Sequence, residues 1–69
     1  MGKDYLDLKK KASRYMLQQL SNGEGLTWEE MRRKADYEFG LGEGWLNNFL
    51  EVYGAGIKED EEGRFKWKA

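Results

Sequence analysis

The sequence predicts an α+β fold, mostly helical, in which three helices are followed by a C-terminal two-stranded β-hairpin. Three observations predict it. Apolar residues recur at helical spacing in three segments that are separated by glycine pairs, Gly23 and Gly25, then Gly40 and Gly42. Thr27 and Glu30 have the spacing of a capping box. After Ile57, the charged run 58–62 and Gly63 lead into Arg64-Phe65-Lys66-Trp67-Lys68, which alternates with the period of a strand.

The first helix is expected from about Asp4 to Leu20. Tyr5, Leu8, Ala12, Met16 and Leu20 share one face, with Tyr15 and Leu17 at its margins, while Lys10, Lys11, Arg14 and Gln18 project oppositely. Two glycines within three residues then stop it, because glycine tolerates the left-handed backbone found at helix ends. The second helix begins at Trp28. The Thr27 hydroxyl can accept an amide of the first turn, and the Glu30 carboxylate can reach back to the cap. Its apolar stripe is Trp28, Met31, Ala35 and Phe39, with Glu30, Arg33, Lys34 and Tyr37 pointing away. Gly40 ends it, and Leu41 is placed to enter the core beneath the turn.

A third helix is expected over 44–53. Trp45, Leu46, Phe49, Leu50, Val52 and Tyr53 form a wide apolar arc, opposite Gly44, Asn47, Asn48 and Glu51. Gly54 and Gly56 close it. The turn Asp60-Glu61-Glu62-Gly63 has glycine where positive φ is needed. The strand that follows puts Phe65 and Trp67 toward the core and leaves Arg64, Lys66 and Lys68 on its other side.

With 69 residues, the chain reads as a single domain over 1–69. It can remove only about 60% of its unfolded surface from water. Three Trp, four Tyr and three Phe are then the main core material, since each aromatic buries roughly 150–250 Å². The absence of Cys and His excludes disulfides, thiolate metal sites and the usual zinc ligand sets, and no cofactor is expected. No stretch approaches the roughly 20 apolar residues of a membrane span, and the N-terminus lacks a signal-peptide pattern. A cytoplasmic protein is the expectation.

Formal charge is −1 with 36% charged residues, so distribution matters more than the total. Residues 1–25 hold five basic and three acidic groups, 26–41 three and four, 42–56 none and two, and 57–69 four and four. A dedicated non-specific DNA-coating protein would be strongly basic, because phosphate neutralisation supplies most of that affinity. Catalysis is not expected. The hydroxyls of Ser13, Ser21 and Thr27 have no imidazole to activate them, and Glu29 and Glu30 are neighbours on a helix with no cleft between them. The glycines at 40, 42 and 44 follow a helix and precede no Gly-Lys-Ser/Thr, which makes them turn glycines and not a nucleotide loop. The acidic turn Glu59 to Glu62 lacks the alternating ligand spacing of a calcium loop.

From Leu8 to Trp67 the chain resembles the winged helix-turn-helix superfamily. The residues that carry the likeness are Met16, Leu17 and Leu20 in the first helix, Leu26-Thr27 entering the second, Ala35 and Gly40-Leu41 around the turn, Leu46 and Leu50 in the third, and Gly56-Ile57 before the wing. The resemblance implies that residues 43–53 take the recognition-helix position and 58–64 the wing. It also implies that the family's strand between the first two helices shrinks here to Gly25-Leu26, a single bridge.

Members of that family usually bind duplex DNA. A helix in the major groove presents Arg or Lys to guanine and phosphate, or Asn and Gln to adenine. Here only Asn47 and Asn48 meet that need, whereas Glu43, Glu51 and the acidic turn oppose phosphate. Arg33, Lys34, Lys58, Arg64 and Lys66, with Asn47 and Asn48, are therefore the candidate nucleic-acid contacts, and Lys10 and Arg14 could supplement them. So weakly basic a module would work as a homodimer. The plainer readings are a solvated Asn pair and a soluble lysine back on the first helix. The alternative function is a protein-interaction module whose acidic third helix and wing dock a basic partner. Trp45 and Val52 are expected in the core, although exposure of both would make a partner-binding patch, and Tyr37 either covers the Arg33 stem or anchors an interface.

Overall fold

The computed structural model describes residues 2–68, so the first and last residues of the expected domain lie outside it. The order of elements is helix α1 (Gly2–Ser21), strand β1 (Leu26–Thr27), helix α2 (Trp28–Phe39), helix α3 (Glu43–Tyr53), a 3-10 turn (Gly54–Gly56), and strands β2 (Ile57–Glu59) and β3 (Arg64–Trp67). The fold is α+β and mostly helical, as expected. It has three strands where two were expected, because Leu26 and Thr27 pair antiparallel with Phe65 and Arg64. The connection between α1 and α2 is thus a two-residue strand, one position later and one pair longer than the single bridge at Gly25-Leu26. The sheet order β1-β3-β2 places the last strand in the middle.

α2 has the expected bounds because both ends carry strong local chemistry. The Thr27 Oγ1 accepts the Glu30 amide at 3.1 Å, and Glu30 Oε1 accepts the Thr27 amide at 2.9 Å, so two otherwise unpaired donors are satisfied. At the other end Gly40 adopts φ +66° and donates to the Asp36 carbonyl at 2.8 Å. α1 extends two residues before the expected start and one beyond the expected end. The Ser21 Oγ donates to the Leu17 carbonyl at 2.8 Å.

Ala12, Met16 and Leu20 of α1, Leu26 of β1, Met31 and Ala35 of α2, Leu41 of the turn, and Leu46 and Phe49 of α3 form one buried cluster. Trp28, Phe39, Trp45, Phe65 and Trp67 are partly buried against it. Phe65 and Trp67 thus close the open side of the helices as their alternation suggested. Along α3 the aromatics recur at i, i+4 and i+8. Trp45 stacks on Phe49 with centroids 5.2 Å apart, Phe49 meets Tyr53 at a tilt with centroids 5.0 Å apart, and Tyr53 meets Trp67 edge-on at 6.0 Å. Tyr15 meets Phe39 edge-on at 5.4 Å and ties α1 to α2.

Two expectations about the core fail. Tyr5 is 52% exposed and Val52 is 64% exposed. A twenty-residue helix is about 30 Å long, and the molecule measures 41 × 22 × 19 Å. Tyr5 stands on the first turns of α1 and packs under the Lys9 ammonium, 4.3 Å from its ring centre. Val52 sits at the edge of an apolar arc wider than the core can cover.

Candidate nucleic-acid interface

β2 and β3 pair in a register that sets Lys58 directly opposite Lys66. Residues facing each other across an antiparallel pair lie on the same side of the sheet, and here that is the side away from Phe65 and Trp67. Lys68, two residues after Lys66, follows on that side, and the three lysines line one shallow depression with Trp67 and the turn. Like charges directly opposite one another destabilise a hairpin. One carboxylate partly offsets them, with Asp60 Oδ2 3.8 Å from Lys66 Nζ.

Asp60 itself is a turn residue. Its Oδ1 accepts the amides of Glu62 and Arg64, each at 2.9 Å, and Gly63 follows at φ +78°. These amide bonds, that from Arg64 first, hold the Asp60 carboxyl below its ordinary range. The acidic run is therefore built around one structural carboxylate, with Glu59, Glu61 and Glu62 exposed beside it.

Arg64 is not a free cation. Its Nη1 lies 3.5 Å from Glu30 Oε1 and 3.5 Å from the Gly25 carbonyl, and its Nε lies 3.9 Å from Glu62 Oε1. The guanidinium clamps the hairpin to the start of α2. Arg33 is exposed on α2, its Nε 3.8 Å from Glu29 Oε2. The hydrogen bond from Arg32, at 2.5 Å, is the main reason that the Glu29 carboxyl lies below its ordinary range. Lys34 is half-buried on the same helix. Tyr37 is 87% exposed.

Asn47 and Asn48 are both exposed on α3, but they do not share one surroundings. Asn47 lies on the side with Gly44 and Glu51. Asn48 lines a groove between α1 and α3 together with Lys9, Lys10 and Arg14. The expected cation-free surface therefore loses Asn48, which stands beside the basic back of α1. Of the seven candidates, the register brings Lys58 and Lys66 together. Arg64 is held within the fold, and Arg33 and Lys34 stand on α2.

The groove is the feature that sequence reasoning missed. Its signal was a second stripe on α1, in which Leu6, Lys10, Ser13 and Leu17 follow helical spacing one position off the core stripe. A scan against protein-family models finds no match, and searches of the curated proteins and of the solved structures find none either. No helix among the described residues is long and apolar enough to cross a membrane.

Proposed function

We propose that this chain is a small winged-helix nucleic-acid-binding protein that engages duplex DNA in a regulatory or accessory role. The observation that carries the proposal is the cross-strand pair Lys58 and Lys66, reinforced by Lys68. A hairpin gains nothing for its own stability from facing two ammonium groups across a ladder, whereas a phosphate backbone neutralises both. In this reading the hairpin holds phosphates, Arg33 and Lys34 add to the electrostatic attraction, and α3 offers Asn47 and Asn48 as amides able to pair with adenine edges. Arg64 acts indirectly, by fixing the hairpin against α2. With few phosphate contacts per chain, two chains acting together supply the affinity that one lacks.

The test is duplex binding as a function of salt. The logarithm of the affinity should fall with a slope of about −0.9 per phosphate contacted. Lys58→Ala and Lys66→Ala should each make that slope shallower, and Asn47→Ala should change sequence preference more than salt dependence. Absence of binding at low salt, or indifference to both lysines, would overturn the proposal.

A second reading is favoured by a separate observation. The outward side of α3 carries Glu43 and Glu51 with no cation, and Glu59, Glu61 and Glu62 are exposed at the hairpin turn. Those carboxylates suit a basic protein partner better than a phosphate backbone.

A further inference from the structure

The groove between α1 and α3 lies apart from the hairpin lysines and from the acidic side of α3. Its volume is about 310 Å³. Leu17 and Phe49 contribute to it from the packed interior, Trp45 and Val52 line it from α3, and Leu6 and Ser13 line it from α1. Leu6 is 57% and Val52 64% exposed, and these two face into the same groove from opposite helices. Three cations, Lys9, Lys10 and Arg14, line it as well, and among the described residues no carboxylate does. That is notable in a chain with 13 acidic and 12 basic residues. Among the described residues none of the three is in an ion pair.

We propose that this groove docks an amphipathic helix of another protein, one whose apolar edge is flanked by Asp and Glu. Apolar side chains at i, i+3, i+4 and i+7 would lie on Leu6, Trp45 and Val52, and the flanking carboxylates would meet Lys10 and Arg14. The walls are themselves helices, and a third helix packs between two such walls by setting its ridges in their groove. An extended peptide adding to the sheet is disfavoured, because the edge strands have only two and three residues. Single-stranded nucleic acid fits less well: Trp45, Phe49 and Tyr53 line the groove, but they pack on one another and Phe49 is buried, and the exposed apolar surface between the helices is the aliphatic Leu6 and Val52. A second copy set groove to groove would crowd three cations from each chain onto one apolar contact.

Trp45, Phe49 and Tyr53, packed ring against ring, make the α3 wall a row of interlocked aromatics. Little ordering is then needed on that side when a ligand arrives.

The experiment titrates the whole chain into a fluorescein-labelled helical peptide of about 20 residues, with Leu on one edge and Glu on both flanks. Its control is the same peptide with Lys in place of Glu. The acidic peptide should bind and the basic one should not, and binding should weaken as salt rises. Lys10→Glu with Arg14→Glu should weaken the acidic peptide at least about tenfold and admit the basic one. Leu6→Gln and Val52→Gln, both at exposed helical positions, should each weaken the acidic peptide without lowering the melting temperature. A single-stranded oligonucleotide should fail to displace the peptide. Equal binding of the two peptides, no binding of either, indifference to both sets of substitutions, or displacement by the oligonucleotide would each overturn the proposal. Loss of duplex binding by Lys58→Ala leaves this result untouched, so the two proposals fail separately.

Discussion

Arg64 Nη1 lies 3.5 Å from Oε1 of Glu30, the same oxygen that accepts the Thr27 amide. One carboxylate therefore completes the N-terminal cap of α2 and anchors the central strand of the sheet. The link is possible because β1 ends at Thr27, so the cap and the β1–β3 ladder share a residue. Thr27→Ala should cost about 1 kcal/mol, a fall of roughly 4–8 °C in melting temperature for a domain of this size. Arg64→Ala should lower the melting temperature more than Arg33→Ala, since the carboxylate contact of Arg33 among the described residues is the 3.8 Å approach to Glu29. Thermal melts followed by circular dichroism check both.

Acid should loosen the same corner. Glu30 is held below its ordinary value first by the Thr27 amide, and Asp60 first by the Arg64 amide. A carboxyl depressed in the folded state binds protons more readily in the unfolded chain. Stability is then full above the unfolded value of about 4 and is lost as pH falls through the lower folded values. Urea midpoints should be level near neutrality and drop below about pH 4. Asp60→Asn, which keeps the side-chain acceptor, should flatten that drop.

Glycines 23 and 25 both have positive φ, +60° and +80°, but only one is hemmed in. A Cβ at Gly25 would overlap the Phe65 carbonyl oxygen and the Lys66 side chain, whereas Gly23 faces open space. Gly23→Ala should cost about 1–2 kcal/mol from backbone conformation alone. Gly25→Ala should cost more and should speed amide exchange across the β1–β3 ladder, which Gly23→Ala should not.

The Lys58 and Lys66 pair predicts a conflict between stability and binding. Lys58→Glu turns a repulsive cross-strand pair into an attractive one and should stabilise the chain by about 0.2–1 kcal/mol. The same change should weaken duplex binding and reduce its salt dependence. A variant that melts lower, or binds DNA as well as the parent, would remove the argument drawn from this pair.

The two functional readings diverge for Glu51→Lys combined with Glu61→Lys, both at exposed positions. Under the DNA reading the double change should tighten duplex binding, by removing two negative charges and adding two positive ones. Under the second reading it should slow association with a basic partner, because rim charges govern mainly the on-rate. A rise in DNA affinity from undetectable to measurable would favour the second reading over the first.

Where the sequence was informative, a named side chain closed a named gap in backbone bonding. α2 was legible to the residue because Thr27, Glu30 and Gly40 mark both of its ends. The start of α1 was not, since no capping residue marks it. β1 escaped because two residues cannot display an alternation, and its pairing depends on Phe65 and Arg64, far along the chain. Helical spacing put Tyr5 and Val52 on the apolar faces of their helices but could not say how far the core extends, and both stand exposed. For the candidate site, residue types pointed to Lys58 and Lys66, but only register shows that they face each other. Arg64 looked equally available until its three contacts were seen. Asn48 changed company for the same reason: which cations lie beside it depends on how α1 crosses α3.

The sheet order also constrains when this chain can fold during synthesis. β3 is the strand that both others need, and Arg64 donates to a carbonyl 39 positions earlier, that of Gly25. Such distant pairings form late, after the loop between them has closed. As the chain leaves the ribosome, α1, α2 and α3 emerge with their apolar faces made, yet β1 has no neighbour until residues 64–67 are clear. The helices therefore cannot be locked to the sheet until residues 64–67 supply β3, and that strand acts as the latch.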